Sequence, residues 1–350
     1  MQLTACTFFF AFCLANAYGQ SNAVEKTLSE YAQNNNFNGT ILVTQNGKPV
    51  YHQSFGYADR QYDIKNTNET RYKIASITKT FTAVLILQLY EAGKLALDKP
   101  INTYLPDYAG EGADKITIHH LLTHSSGLEN CEKNGLDIYE LPHTSDEILR
   151  KYCSGKLENE VGARFSYNNG DYIILGKIIE KLYQKPYQQV LQERILLPFR
   201  LTNTGLVSQP AIVKGLAHTY VWNDSTKVFE NDSPLYIENY FSAAAMYATT
   251  QDLALFTSAL FGKKMLQEST LNLMLTSYPT YWYTAYSVWV TEQKINNQKS
   301  KVVERYGSIL GANTLLAHYM EQKVTIIIFS NTNATDLGKF KEAISKVVIK

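Results

Sequence analysis

Tyr72-Lys73-Ile74-Ala75-Ser76-Ile77-Thr78-Lys79 opens the most informative stretch of the chain, and it runs straight into a long apolar segment. Phe81, Ala83, Val84, Leu85, Ile86, Leu87 and Leu89 make that segment apolar nearly all round, the pattern of a buried helix from about Ile77 to Ala92. Gly93 is placed to end it as a left-handed cap. On such a helix Ser76 and Lys79, three residues apart, share a face. A serine hydroxyl is a weak nucleophile until a base takes its proton. Lysine does that only where burial or a neighbouring cation lowers its pKa. The start of the helix adds unpaired amides and a positive dipole end, suited to a developing oxyanion. Alone the pair decides little, because a capping serine and a solvated lysine have the same spacing.

Outward from this helix the chain divides by periodicity. Gly39 to Thr44 and Pro49 to Gly56 read as strands joined by a hairpin at Gln45-Asn46-Gly47-Lys48. Val24, Leu28, Tyr31 and Ala32 mark a helix before them. From Leu95 to about Phe261 the pattern is mainly helical, most clearly over Thr117–Thr123, Tyr172–Leu182 and Tyr187–Leu196. Then Trp282–Thr291, Lys301–Tyr306, Asn313–Tyr319 and Lys323–Ser330 predict an antiparallel meander. Leu337, Phe340, Ile344, Val347 and Val348 line one face of a last helix. The class is α+β: an antiparallel sheet with flanking helices from both chain ends, plus a mainly helical lobe. One catalytic unit is expected over residues 20–350, with an α/β lobe at about 20–80 and 265–350 and a helical lobe at about 81–264.

Several familiar sites are absent. No serine has glycine two before and two after it, no glycine-rich loop ends in Gly-Lys-Ser/Thr, and there is no His-Glu-x-x-His. What accompanies Ser76 is an ordered set of short motifs. Phe55-Gly56-Tyr57-Ala58-Asp59 comes first, and Gly93-Lys94-Leu95, Leu97-Asp98 and Tyr104-Leu105-Pro106 follow the helix. Then come His120-Leu121-Leu122-Thr123-His124-Ser125-Ser126-Gly127-Leu128 and Phe165-Ser166-Tyr167-Asn168-Asn169-Gly170-Asp171-Tyr172. In this order they resemble the serine β-lactamase and penicillin-binding-protein family, specifically its class C β-lactamase-like branch, from about Phe37 to Asn331.

The resemblance implies an exported serine hydrolase that works without a cofactor through an acyl-enzyme on Ser76. It implies Lys79 and Tyr167 as a shared general base, and Asn169 as a hydrogen-bonding anchor for Lys79 and the substrate amide. The backbone amides of Ser76 and Ser308 would form the oxyanion hole, with Gly307 leaving room for the acyl group. Arg305-Tyr306-Gly307-Ser308 is the best match to the family's third element, and it departs from the usual Lys-Thr-Gly. Arg305 keeps the positive charge, but guanidinium stays protonated and shuttles no proton. Tyr306 is expected to narrow the cleft or stack on a ligand. Without that triplet a peptidase or esterase is favoured over a potent β-lactamase, with Arg305 still able to attract a substrate carboxylate. The other reading is a non-catalytic ligand binder or scaffold that keeps the fold, for which the Arg305-Tyr306 change is the support.

Composition sets the remaining bounds. Lys and Arg total 33 against 32 Asp and Glu, for a net charge of +1. That balance offers no basic face for nucleic acid; a small-molecule or peptide substrate is expected. Residues 1–20 hold no charged side chain, and Leu3 to Ala17 is apolar, which reads as a signal peptide of about residues 1–19, cleaved after Ala17 or Gly19. The run is short of a bilayer span; an uncleaved anchor or a first buried helix is the alternative. Cleavage leaves Cys131 and Cys153, a candidate disulfide in an oxidising compartment or else two buried thiols. His119, His120 and His124 lack a nearby carboxylate ligand, so no metal is expected.

Overall fold

The computed structural model describes residues 24–133 and 137–349; the leader expected at residues 1–19 lies outside the described residues. Six strands form one antiparallel sheet: β1 (Gly39–Gln45), β2 (Lys48–Phe55), β3 (Trp289–Ile295), β4 (Gln298–Ile309), β5 (Ala312–Tyr319) and β6 (Val324–Ser330). Their order is β3-β4-β5-β6-β1-β2, so the N-terminal hairpin joins the C-terminal meander at a β1–β6 seam. Alternation along the strands sorts the side chains between two cores. Ile41, Val43, Ile326 and Ile328 pack with the terminal helices α1 (24–34) and α4 (Leu337–Val348), where Tyr31 stacks on Phe340 at 4.4 Å. Leu42, Ile327 and Phe329 face the other way, into the larger core that holds α2 (Thr78–Glu91).

The seam depends on Gly39. A β-carbon there would sit 1.9 Å from the Phe329 carbonyl oxygen, a backbone atom that cannot swing aside. Gly39→Ala is therefore expected to destabilise the fold by roughly 3 kcal/mol. The change reads as a lower denaturant midpoint; an unchanged midpoint would contradict this packing.

Every residue of α2 from Thr78 to Leu89 is buried, as its all-round apolar pattern predicts. Of its interior threonines, Thr82 Oγ1 donates to the Ser242 carbonyl at 2.7 Å. Gly93 adopts φ +67°, and the Lys94 amide reaches back to the Leu89 carbonyl at 3.0 Å, closing the helix.

Two expected elements differ. The Tyr187–Leu196 helix is α-helical only over Tyr187–Leu191 and widens to a π turn at Gln192–Leu196. The first meander strand begins at Trp289 rather than Trp282, because Trp282 and Tyr283 take φ +57° and +60°, a left-handed pair no strand accommodates. That strand instead continues to Ile295 and turns at Asn296-Asn297, φ +47° and +69°. Two successive left-handed residues make the tight hairpin that matches strand twist, and asparagine tolerates them. No described helix is long and apolar enough to cross a membrane.

Candidate active site

Ser76 sits at a strained corner. Ala75 is held at φ +46°, and Ser76 follows in a one-turn 3-10 segment, Ala75–Ile77, that leads into α2. Such strain persists only where neighbours fix it. Here Thr314 Oγ1 and the Ile77 amide both donate to the Ile74 carbonyl, at 3.0 and 3.1 Å.

The Ser76 hydroxyl is 2.7 Å from the Tyr167 hydroxyl and 3.2 Å from Lys79 Nζ. Lys79 is fully buried and also donates to Asn169 Oδ1 at 2.6 Å and to the Ala243 carbonyl at 3.1 Å. With two protons directed at those acceptors, the third position of the amine faces Ser76 Oγ. Tyr167 and Asn169 reach this point at the start of α3 (Asn169–Tyr183), where Asn168 is the N-cap and accepts from the Gly170 amide at 2.9 Å. The Cys131 amide also donates to Asn168, at 3.4 Å, which ties the preceding loop to the same turn.

Arg305 projects from β4 and is 1% exposed. Its Nε donates to the Ser76 carbonyl at 2.8 Å and its Nη2 to the Tyr167 oxygen at 2.9 Å, while Trp289 covers the guanidinium at 5.1 Å. Burial alone raises the Tyr167 phenol, but the charges of Lys79 and Arg305 outweigh it and bring the pKa down to about 8. Burial lowers the Lys79 amine, opposed by the Tyr167 phenol and reinforced by Arg305. Both candidate bases are thus shifted down towards the working range of a general base.

Gly307 shares the Arg305 face of β4. A β-carbon there would fall 2.5 Å from the Ile74 carbonyl oxygen and 3.0 Å from the Ser76 amide nitrogen, so only glycine lets the strand approach the nucleophile. Ser308 follows, exposed and paired with Asn313. Tyr306 is not brought into the cleft. By strand alternation it lies on the opposite face, its hydroxyl 3.6 Å from where a Gly338 β-carbon would lie at the start of α4. The expected narrowing of the cleft by Tyr306 is corrected accordingly.

Cys131 and Cys153 stand as two free, buried thiols rather than a bridge. They meet beside α3, where a hydrogen bond with Cys131, then burial, raises the Cys153 thiol well above its usual range. A protonated thiol in apolar surroundings is unreactive. The three histidines each have a protein partner. His119 Nδ1 meets Tyr286 Oη at 2.9 Å, His120 Nδ1 accepts from the Thr117 amide at 3.1 Å, and His124 Nδ1 lies 3.2 Å from Asp171 Oδ2.

Glu132 belongs to no sequence motif, whereas His124, Ser126 and Asp171 lie within two of the motifs. Glu132 accepts from Asn169 Nδ2 at 2.8 Å and from Tyr139 Oη at 2.6 Å, placing a half-buried carboxylate beside the lysine anchor. Behind Tyr167 the His124 ring packs at 4.4 Å, and Ser126 Oγ donates to Asp171 at 2.6 Å. Burial raises the Asp171 carboxyl well above its usual range and, with the charges of Lys79 and Arg305, drives the His124 imidazole well below its own.

The comparisons with known proteins agree with this arrangement. The family described as Beta-lactamase matches residues 24–346. Teichoic acid D-alanine hydrolase of Staphylococcus aureus is 27% identical over 270 residues, 77% of this chain. The match spans just under two thirds, 66%, of that relative's length. Among solved structures, a penicillin binding protein from Bacillus halodurans is 25% identical with a TM-score of 0.75, covering 91% of this chain and 98% of its own. D-amino acid amidase from Ochrobactrum anthropi SV3 shares the fold at a TM-score of 0.82 with 21% identity, over 94% of this chain and 98% of its own. With a family match across nearly all of the described chain, around a half-buried Ser76 and a buried Lys79, the protein belongs to the beta-lactamase family of serine hydrolases.

Proposed function

We propose that the protein hydrolyses a D-amino-acyl ester or amide through an acyl-enzyme on Ser76. The observation that carries this reading is the 2.7 Å contact between Ser76 Oγ and Tyr167 Oη, with Lys79 Nζ at 3.2 Å. Tyr167, as phenolate, takes the Ser76 proton while Oγ attacks the substrate carbonyl. The backbone amides of Ser76 and Ser308 hold the oxyanion, and the proton passes by way of Lys79 and Tyr167 to the leaving alcohol or amine. Water repeats the sequence in reverse and releases the acid.

Two charged residues bear on the choice of substrate. The Arg305 guanidinium is nearly buried and directs Nε to the Ser76 carbonyl and Nη2 to Tyr167, which leaves Nη1 without a protein acceptor among the described residues. Attraction of a substrate carboxylate by Arg305 therefore stays part of the reading. Glu132 supplies the opposite charge, suited to the ammonium of an aminoacyl group. The relatives named for D-alanine and D-amino acid hydrolysis point the same way. A panel of D-alanyl esters, D-amino-acid amides and nitrocefin tests the reading. The D-alanyl compounds are expected to be turned over at least roughly 10²-fold faster than nitrocefin; the reverse ranking would contradict it. Glu132→Gln is expected to raise KM for a D-alanyl ester about tenfold and to change it little for the N-acetylated ester. An equal rise for both would remove the ammonium contact.

The same reading takes residues 20–350 as one catalytic unit, with Ser76 between the sheet and the helical region. It also includes export, supported by the uncharged apolar opening of the chain.

A further inference from the structure

A cavity of about 470 Å³ has Lys73, Leu216, Thr219, Asp232, Leu235 and Ile309 among its walls. Its walls are chain neighbours of the site. Lys73 lies on the strand that runs into Ser76, Ile309 directly follows Ser308, and Ile237 on the same wall begins the short helix that leads towards Ala243.

Lys73 is half-buried, and its Nζ makes one long hydrogen bond, 3.4 Å to Thr219 Oγ1. Among the described residues it forms no ion pair within 4.0 Å. Asp232, the acid on this wall, is engaged elsewhere: its carboxylate accepts from the Gly311 amide at 3.2 Å and the Ser233 amide at 2.9 Å. Burial pushes the Lys73 ammonium down from its usual pKa, with only the Asp232 charge opposing. A cation held this way is costly to desolvate. An oxyanion entering the cavity would supply the acceptor it lacks, while Leu216, Leu235 and Ile309 would cover the carbon chain that carries the anion.

We propose that this cavity is an anion subsite, in which the Lys73 ammonium and the Thr219 hydroxyl receive a phosphate or carboxylate group that the substrate carries next to its scissile bond. The inference rests on the acyl-hydrolase reading for the identity of the scissile bond, and on the cavity itself for the anion. It extends the substrate class to acyl esters or amides of an anionic carrier.

Two measurements on the whole protein test it separately. In calorimetric titrations the wild type is expected to bind glycerol 3-phosphate or glycerate, and not glycerol. Lys73→Gln and, independently, Thr219→Val are expected to weaken that binding by roughly tenfold or more. Stronger binding of one anion assigns phosphate or carboxylate as the natural group. No anion binding by the wild type, or undiminished binding by a folded Lys73→Gln protein, would overturn the subsite. Turnover supplies the second test. The wild type is expected to hydrolyse D-alanyl esters of glycerol 3-phosphate or glycerate in preference to D-alanyl glycerol, and Lys73→Gln to lose that preference. Anion binding with no hydrolysis of any of these esters would support the subsite and sink the hydrolase reading. Hydrolysis of all at equal rates with no anion binding would do the opposite.

Discussion

Tyr167→Phe is expected to lower kcat/KM for a D-alanyl ester by roughly 10²–10⁴ with the fold intact. The hydroxyl it removes is the group 2.7 Å from Ser76 Oγ, and the one that receives Arg305 Nη2 at 2.9 Å. Lys79 would remain as the single base, but its amine is oriented by Asn169 and Ala243 and is 3.2 Å from the nucleophile. The ring itself packs against His124 at 4.4 Å, and phenylalanine preserves that contact. Loss should therefore appear in the acylation rate, measured by stopped-flow release of a chromogenic leaving group. A rate near that of the wild type, in a protein with an unchanged melting curve, would remove Tyr167 from the proton path.

Arg305→Gln should move the pH profile as well as lower the rate. The working base is the phenolate, so wild-type kcat/KM rises with pH through the Tyr167 pKa of about 8 and then levels. Burial raises that pKa, and the charges of Lys79 and Arg305 bring it down. Removing one of the two cations must shift the rising limb to higher pH. Each unit of upward shift removes about tenfold of the phenolate at neutral pH, and raising the pH recovers that part of the loss. Glutamine can still donate to the Ser76 carbonyl or to Tyr167, so a uniform fall with no displaced limb would mean that Arg305 acts by packing alone. Kinetics between pH 6 and 10 on a folded variant separate the two outcomes.

The helix that carries Ser76 was legible because burial on all sides leaves an apolar pattern without gaps. Tyr167 and Asn169 were legible because they lie two apart at one helix start, a spacing that survives in sequence. Glu132 and Trp289 were not, since each reaches the site from a distant segment and nothing in its local sequence marks it. Tyr306 could have been placed correctly from parity alone. Arg305 and Gly307 share one face of β4, so the residue between them must point to the other. The Trp282–Thr291 strand was misjudged for a related reason, because aromatic and β-branched composition does not reveal where the backbone turns left-handed. Asn296-Asn297 did carry that signal, and it sets the hairpin.

The central claim is that Ser76 becomes acylated, and mass spectrometry of the trapped intermediate addresses it most directly. The protein is exposed to a fluorophosphonate, or to a D-alanyl ester and quenched with acid, then digested and mapped. The account predicts one adduct, on the peptide containing Ser76, absent from Ser76→Ala and slowed in Tyr167→Phe. An adduct on another residue, or equal labelling of the Ser76→Ala protein, would contradict it.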